Sequence, residues 1–434
     1  MMDLNLKNIL KTDRKQKSRK AAFIMSLFLS CALLTGCGAG DVLEGIENRI
    51  FDLLDEFDIV SDNDAESLST DEGAEEYSTD DSEAAKEKGQ SANEETSSND
   101  VTGEDFTKYA YNHLSPVEKR VYLEIARSIN LMEESRTVST LNADVLDKCF
   151  NAVIMDHPEF FYIAGYRTTV TTANDVVIKL DFSGRYTMTE AERNNRQKII
   201  DAKVDEILKN APMDDNDYEK VKYCFDTIVE NTSYDVDSAD NQNICSVFIN
   251  GRSVCQGYSL AMKYLLDRLD VPCTMVYGTA NGDNHAWNLV CVDGTWAYVD
   301  ATWGDSTYRS YVNTEVVDEI NYNYFCCNDD ILRLTHHVKE PQGLPACTSL
   351  EAYYYVKEGL YFTTADEARL KAVFEKKGSG DKDFFMIRAE SKEVYDELKE
   401  ILFDGKTVFQ WLGRQRVKYA DDSVEKTLSF WIEE

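Results

Sequence analysis

The chain has 434 residues, enough for about two or three domains, and its 43% hydrophobic content can supply sizeable cores. Its 79 Asp and Glu against 46 Lys and Arg leave a net charge of −33, which excludes nucleic acid as a partner because phosphate binding needs a basic surface. The sequence contains no D-x-D-x-D-G calcium loop, and its five histidines show no metal-ligand spacing. Neither a metal nor a cofactor is therefore expected.

The first 36 residues stand apart. Lys7, Lys11, Arg14, Lys15, Lys17, Arg19 and Lys20 form a basic head, followed by the apolar run AAFIMSLFLSCALL at 21–34. That run is short for a membrane span and fits a secretory signal. It ends in Leu34-Thr35-Gly36-Cys37, which resembles the bacterial lipobox. The resemblance implies a lipidated Cys37 as mature N-terminus, and so a chain held outside the cytoplasmic membrane by its lipid. Residues 41–105 carry 23 Asp or Glu against three Lys or Arg. With few large apolar residues from Ser61 onward, 37–105 reads as a self-repelling tether. Val42, Ile46, Ile50, Phe51, Leu53, Leu54 and Phe57 allow one short amphipathic helix over 42–60.

An N-terminal α/β lobe is expected over 106–212. Ser115, Pro116 and Glu118 form a capping box for a helix over 115–129, with Val121, Leu123, Ile125 and Ile129 as its apolar positions. Asn142 starts a second helix that breaks at His157-Pro158. Residues 160–172 and 175–183 pair as strands, and a long charged helix runs from Thr189 to Lys209.

The central segment, 213–345, opens with a helix over 217–235 that points Val221, Cys224, Phe225 and Ile228 inward. Apolar 244–249 forms a short helix or turn beneath the next one. In that next helix Tyr258, Ala261, Met262, Leu265, Leu266 and Leu269 recur at helical spacing until Pro272. Cys255 thus stands near a helix N-terminus, where orphan N–H groups and the dipole favour a thiolate. A strand over 274–280 turns at Asn281-Gly282-Asp283, and Asp293-Gly294 closes a hairpin. Counting outward from Val292 and Thr295 sets His285 opposite Thr302, with Asp300 one diagonal step away on the same face. A lone Cys or His is ordinarily core filling. A thiol, an imidazole and a carboxylate arriving in this order form an activated-nucleophile site.

NGRSVCQGYS around Cys255, NHAWN around His285 and GTWAYVDATW around Asp300 resemble the transglutaminase-like superfamily of papain-like cysteine enzymes. The resemblance implies a nucleophile helix packed on an antiparallel sheet, with Cys255 as nucleophile, His285 as general base and acid, and Asp300 as orienting group. It also implies an oxyanion site built partly from the nucleophile's backbone N–H, with Gln242 as one side-chain candidate. Either an amine or water can resolve the resulting thioester, so acyl transfer and hydrolysis both stay open. So does a non-catalytic binding module on the same fold, since fold does not fix function. Trp287, Trp296 and Trp303 either wall a cleft or fill core, at least two of them core; the tyrosines of 306–345 could line a groove.

From 346 to 434 a small α+β domain is expected, its likeness being helices on one face of a sheet. YYYV at 353–356 and LYFT at 360–363 read as a hairpin, with helices over 365–377 and 392–403 and strands at 384–389, 417–422 and 426–433. Removing Cys31 with the signal and Cys37 to lipid leaves nine cysteines, with no disulfide framework in their spacing. A reactive, exposed Cys255 thiolate then requires reducing or anaerobic surroundings. The chain as a whole reads as an α+β surface lipoprotein acting on extracellular protein or peptide.

Overall fold

Caps and turn residues set most of the boundaries in the computed structural model. It describes residues 108–432 except 214–215, 306–318, 340–342, 380–383 and 415. The signal-like segment, Cys37, the tether, the helix expected over 42–60 and Tyr308 and Tyr311 lie outside the described residues. Among those described, no helix is long and apolar enough to cross a membrane.

Helix α1 (Pro116–Asn130) begins with the capping box: Glu118 N–H donates to Ser115 Oγ at 3.4 Å, and the Glu118 carboxylate accepts the Ser115 N–H at 2.8 Å. It buries Val121, Tyr122, Ile125 and Ile129. Leu123 is exposed, contrary to the apolar face expected, because two residues beyond Val121 a helix has turned to its other side. Asn142 caps α2 (Ala143–Asp156), and β1 (Ile163–Ala173) pairs antiparallel with β2 (Val176–Tyr186). Asn174 and Asp175 close that hairpin with positive φ. Thr189 caps α3 (Glu190–Leu208).

Helix α4 (Asp217–Asn231) ends four residues earlier than the expected Asp235. Thr232 turns extended, and Ser233-Tyr234 pairs in parallel with Arg252-Ser253. Between these pieces a π turn, Ser246–Asn250, closes on Gly251 at φ 63°. That strand pair delivers Cys255 as the first residue of α5 (Cys255–Asp267). Every residue from Cys255 to Leu266 except Gln256 is buried, so α5 is the central helix of the molecule. Its buried Lys263 donates to both Asp267 oxygens at 2.8 and 2.9 Å and to the Cys273 carbonyl at 3.1 Å, which offsets the cost of burying a charge.

Five strands form the sheet behind α5: β3 (Cys273–Ala280), β4 (Asp283–Val292), β5 (Thr295–Val299), β6 (Phe325–Cys327) and β7 (His336–Val338). Their order is β7-β3-β4-β5-β6, all antiparallel. Positive φ at Asn281-Gly282 and Asp293-Gly294 makes the two tight turns. Side chains alternate between two apolar clusters. Met275, Ala286, Val290 and Ala297 join α4, α5 and the N-terminal lobe. Val276, Trp287, Leu289 and Tyr298 join the C-terminal segment.

In that segment β8 (Tyr361–Phe362) lies parallel to β9 (Phe384–Ala389), α6 (Glu367–Gly378) intervenes, and α7 (Lys392–Lys399) continues as a π turn to Asp404. Strands β10 (Lys418–Asp422) and β11 (Thr427–Trp431) complete the order β8-β9-β11-β10. The expected hairpin of 353–356 with 360–363 does not form. Tyr354–Lys357 is a helical turn instead, held because the Tyr353 hydroxyl donates to the Asn323 carbonyl at 3.1 Å and the Tyr355 hydroxyl to Asn323 Oδ1 at 2.6 Å. A helix at Thr407–Leu412 was not anticipated.

Gly257 seats α5 on the loop before it. A Cβ there would meet Ser253 Oγ, Ser246 Oγ at 2.7 Å and the Asn241 carbonyl at 3.0 Å. Gly257→Ala is expected to destabilise the fold by about 1–3 kcal/mol, the usual cost of overpacking, read as a lower urea midpoint.

Candidate active site

Cys255 starts α5 behind Val254, an extended residue whose side chain cannot cap. The first-turn N–H groups therefore lack a side-chain acceptor from the N-cap, which leaves the positive helix end facing the sulfur. The Cys255 thiol lies close enough to His285 to raise the imidazole's pKa, and His285 Nε2 lies 2.7 Å from Asp300 Oδ2. The structure brings together all three residues read from sequence, although they come from a helix start, a strand and a strand end.

Asp300 arrives by a different route from the one counted along the hairpin. Asn288 pairs with Val299, the register anticipated, but β5 ends there. Asp300 caps a single helical turn, Ala301–Gly304, its Oδ1 accepting the Trp303 N–H at 3.1 Å. Thr302 therefore lies in that turn and not opposite His285. The Asp300 N–H is fixed in turn by the Tyr324 carbonyl at 3.0 Å. Gln242 lies in the loop before the π turn; its side-chain oxygen is buried without a hydrogen-bond partner, and its backbone carbonyl accepts from Gln256 Nε2 at 3.3 Å.

Sequence reading missed His336. Its Nε2 lies 3.0 Å from the same Asp300 Oδ2 that His285 uses, and its Nδ1 lies 2.8 Å from Thr335 Oγ. The Thr335 and Tyr324 hydroxyls are 2.6 Å apart. His285 pairs with Gly278 and His336 with Ala280 on β3, so two small residues separate the imidazoles. Trp287, Trp303 and Tyr324 close around His336, with ring centroids 5.1, 4.9 and 4.6 Å away. Two of the three tryptophans are buried, and so is Tyr324, which fills core and does not line a groove. Ligand atoms of His285, Asp300 and His336 all lie within 4.8 Å of one another, a grouping that the sequence spacing of the histidines does not show. The three come from separate elements, so no spacing rule could reveal them. The same atoms are already engaged in hydrogen bonds to each other.

Burial alone would lower the His285 pKa, but the Asp300 carboxylate and the neighbouring thiol hold it up at about 10. Burial would raise Asp300, and His285 and His336 outweigh it, keeping the carboxyl well below its usual range. Burial pushes His336 down despite Asp300. One imidazole is therefore held charged and the other neutral, on one carboxylate. The expectation of an exposed thiolate is corrected: Cys255 is 0% exposed, His285 5% and Asp300 1%. All nine described cysteines are free, and only Cys291 among them is partly exposed.

Residues 205–301 match the transglutaminase-like superfamily; they contain Cys255, His285 and Asp300 but not His336. No curated protein matches the chain. Among solved structures, a transglutaminase shares 17% identity over 31% of this chain and 44% of its own, with a TM-score of 0.23. A putative cysteine protease from Cytophaga hutchinsonii shares 16%, over 31% and 61%, with a TM-score of 0.22. The periplasmic domain of TgpA from Pseudomonas aeruginosa, bound to ethylmercury, shares 15%, over 31% and 59%, also at 0.22. This chain thus spans about half the length of the structures it matches.

Two measurements check the electrostatics. Cys255, followed by peptide mass spectrometry, is expected to react with iodoacetamide at pH 6. Asp300→Asn and His285→Ala are each expected to slow that reaction about tenfold or more, one pKa unit being a factor of ten. Folded His285 keeps its proton to about 10, against about 6.5 in an unfolded chain. The stabilisation it contributes is complete below the lower value and lost as pH rises through the higher. The urea midpoint is expected to fall across that window, and less so in His285→Ala.

Proposed function

Taking residues 205–301 as a transglutaminase-like domain, we propose that the chain is a surface-anchored cysteine acyl-transfer enzyme acting on carboxamide or peptide bonds of extracellular protein or peptide. The observation that carries this reading is the short His285–Asp300 contact on an imidazole that the Cys255 thiol also influences. The Cys255 sulfur attacks the carbonyl carbon, and the carbonyl oxygen gains the negative charge. His285 then passes its proton to the departing amine as the C–N bond breaks, leaving a thioester on Cys255. An incoming amine or water gives its proton back to His285, attacks the thioester and releases the thiolate. Asp300 stays ionised throughout and keeps the imidazole oriented.

Exclusion of water favours an amine acceptor, and the buried triad supports transfer over hydrolysis on that ground. The basic head, the apolar run and Leu34-Thr35-Gly36-Cys37 support anchoring by lipid on Cys37, outside the cytoplasmic membrane, with 37–105 as spacer.

The full chain, reduced and in detergent, is mixed with glutamine-bearing proteins and a tagged primary amine beside a Cys255→Ala control. Tag on glutamine, made only by intact Cys255, is the expected result. Cleavage or deamidation without tag makes the chain a hydrolase, and products identical to the control's contradict the enzyme reading. For the anchor, Cys37→Ser is expected to move the protein from the membrane fraction to the soluble one, measured by detergent phase partition.

A further inference from the structure

We propose that His336 is a positioning residue of the triad, acting through Asp300, and that Thr335 and Tyr324 hold its ring from behind. The inference rests on the reading of Cys255, His285 and Asp300 as a working triad. It begins from an accounting of protons. A neutral imidazole carries one N–H. His336 Nε2 lies 3.0 Å from a carboxylate oxygen in a site with no exposed surface on His336 and 1% on Asp300. Two acceptors facing each other there would repel without water to separate them, so the proton belongs on Nε2.

Behind the ring, His336 Nδ1 lies 2.8 Å from Thr335 Oγ, and the Thr335 O–H donates to the Tyr324 hydroxyl at 2.6 Å. Tyr324 is 1% exposed, and the Glu425 carboxyl, on the turn between β10 and β11, lies against its hydroxyl. A continuous line of polar contacts therefore runs from the C-terminal sheet through Tyr324, Thr335 and His336 to Asp300.

The charged and titratable groups facing His336 are Asp300, His285 and His337; Glu425 and Arg388 face Tyr324 behind it. A neutral donor is what Asp300 needs from this side. It pins Oδ2 in the direction of His285, while the Trp303 N–H pins Oδ1, and it adds no positive charge to compete with a protonated His285. A cationic His336 would share the carboxylate's charge and weaken the thiolate–imidazolium pair. His285 and His336 pair with Gly278 and Ala280 on the intervening strand β3, and both reach Asp300 Oδ2.

The test reads Cys255 alkylation by iodoacetamide across pH in the full chain, by peptide mass spectrometry, with urea midpoints in parallel. His336→Leu removes the N–H, and the rate at pH 6 is expected to fall about tenfold to hundredfold, as for loss of a hydrogen bond to a charged group. His336→Gln keeps an N–H in nearly the same place and is expected to restore most of the rate. Thr335→Val removes the hydroxyl that holds the Nδ1 edge of the ring, and a loss in the same direction as that of His336→Leu is expected, with no further loss in the double variant. If His336→Leu and His336→Gln lower the urea midpoint while the pH profile of each matches wild type, His336 is structural only and the proposal is overturned. A Thr335→Val profile that matches wild type overturns the backing role given to Thr335, even where His336→Leu fails to fold. If wild-type Cys255 itself shows no reactivity at pH 6, the triad reading fails first and this inference falls with it.

Discussion

One buried oxygen atom, Asp300 Oδ2, receives two imidazoles. A carboxylate taken out of water is costly unless its charge is paired and its lone pairs are used. Here His285, His336 and the Trp303 N–H meet both requirements. The arrangement makes the two rings unequal, since one is charged beside a thiol and the other neutral beside a hydroxyl. On the proposed reading of Cys255 as a nucleophile, that inequality suits it, since a single positive charge beside a sulfur favours attack.

The surrounding layers exist in forms that serve this point. Helix α5 is buried nearly all round and carries Cys255 at its first turn. The sheet behind it is buried on both faces, by α4, α5 and the N-terminal lobe on one side and by the C-terminal segment on the other. The C-terminal layer is more than cladding. Asn323 binds the Glu425 carboxylate and accepts from Tyr353 and Tyr355, which anchors the stretch that also supplies the Tyr324 carbonyl to Asp300.

Much of this was legible because it is local. Ser115, Asn142 and Thr189 each cap the helix that follows, and Asp293-Gly294 turns the chain as two positive-φ residues do. The grouping of Cys255, His285 and Asp300 was legible because they lie close together in sequence beside a strong helix pattern and a strong turn. Where reading failed, tertiary contacts decided. Alternating tyrosines at 353 and 355 look like a strand, yet both are tied to Asn323 in a helical turn. The strand carrying Asp300 stops because its carboxylate caps the next turn. His336 sits on a three-residue edge strand far along the chain, and nothing but the folded sheet tells it apart from the exposed His337.

Labelling the histidine nitrogens and recording their resonances in the folded chain at neutral pH tests the central claim most directly. The account predicts both nitrogens of His285 protonated, and His336 neutral with its proton on Nε2. Replacing Cys255 with serine should lower the pH at which His285 gives up its extra proton and leave His336 unchanged. A neutral His285 in the intact protein, or a cationic or Nδ1-protonated His336, would contradict the account.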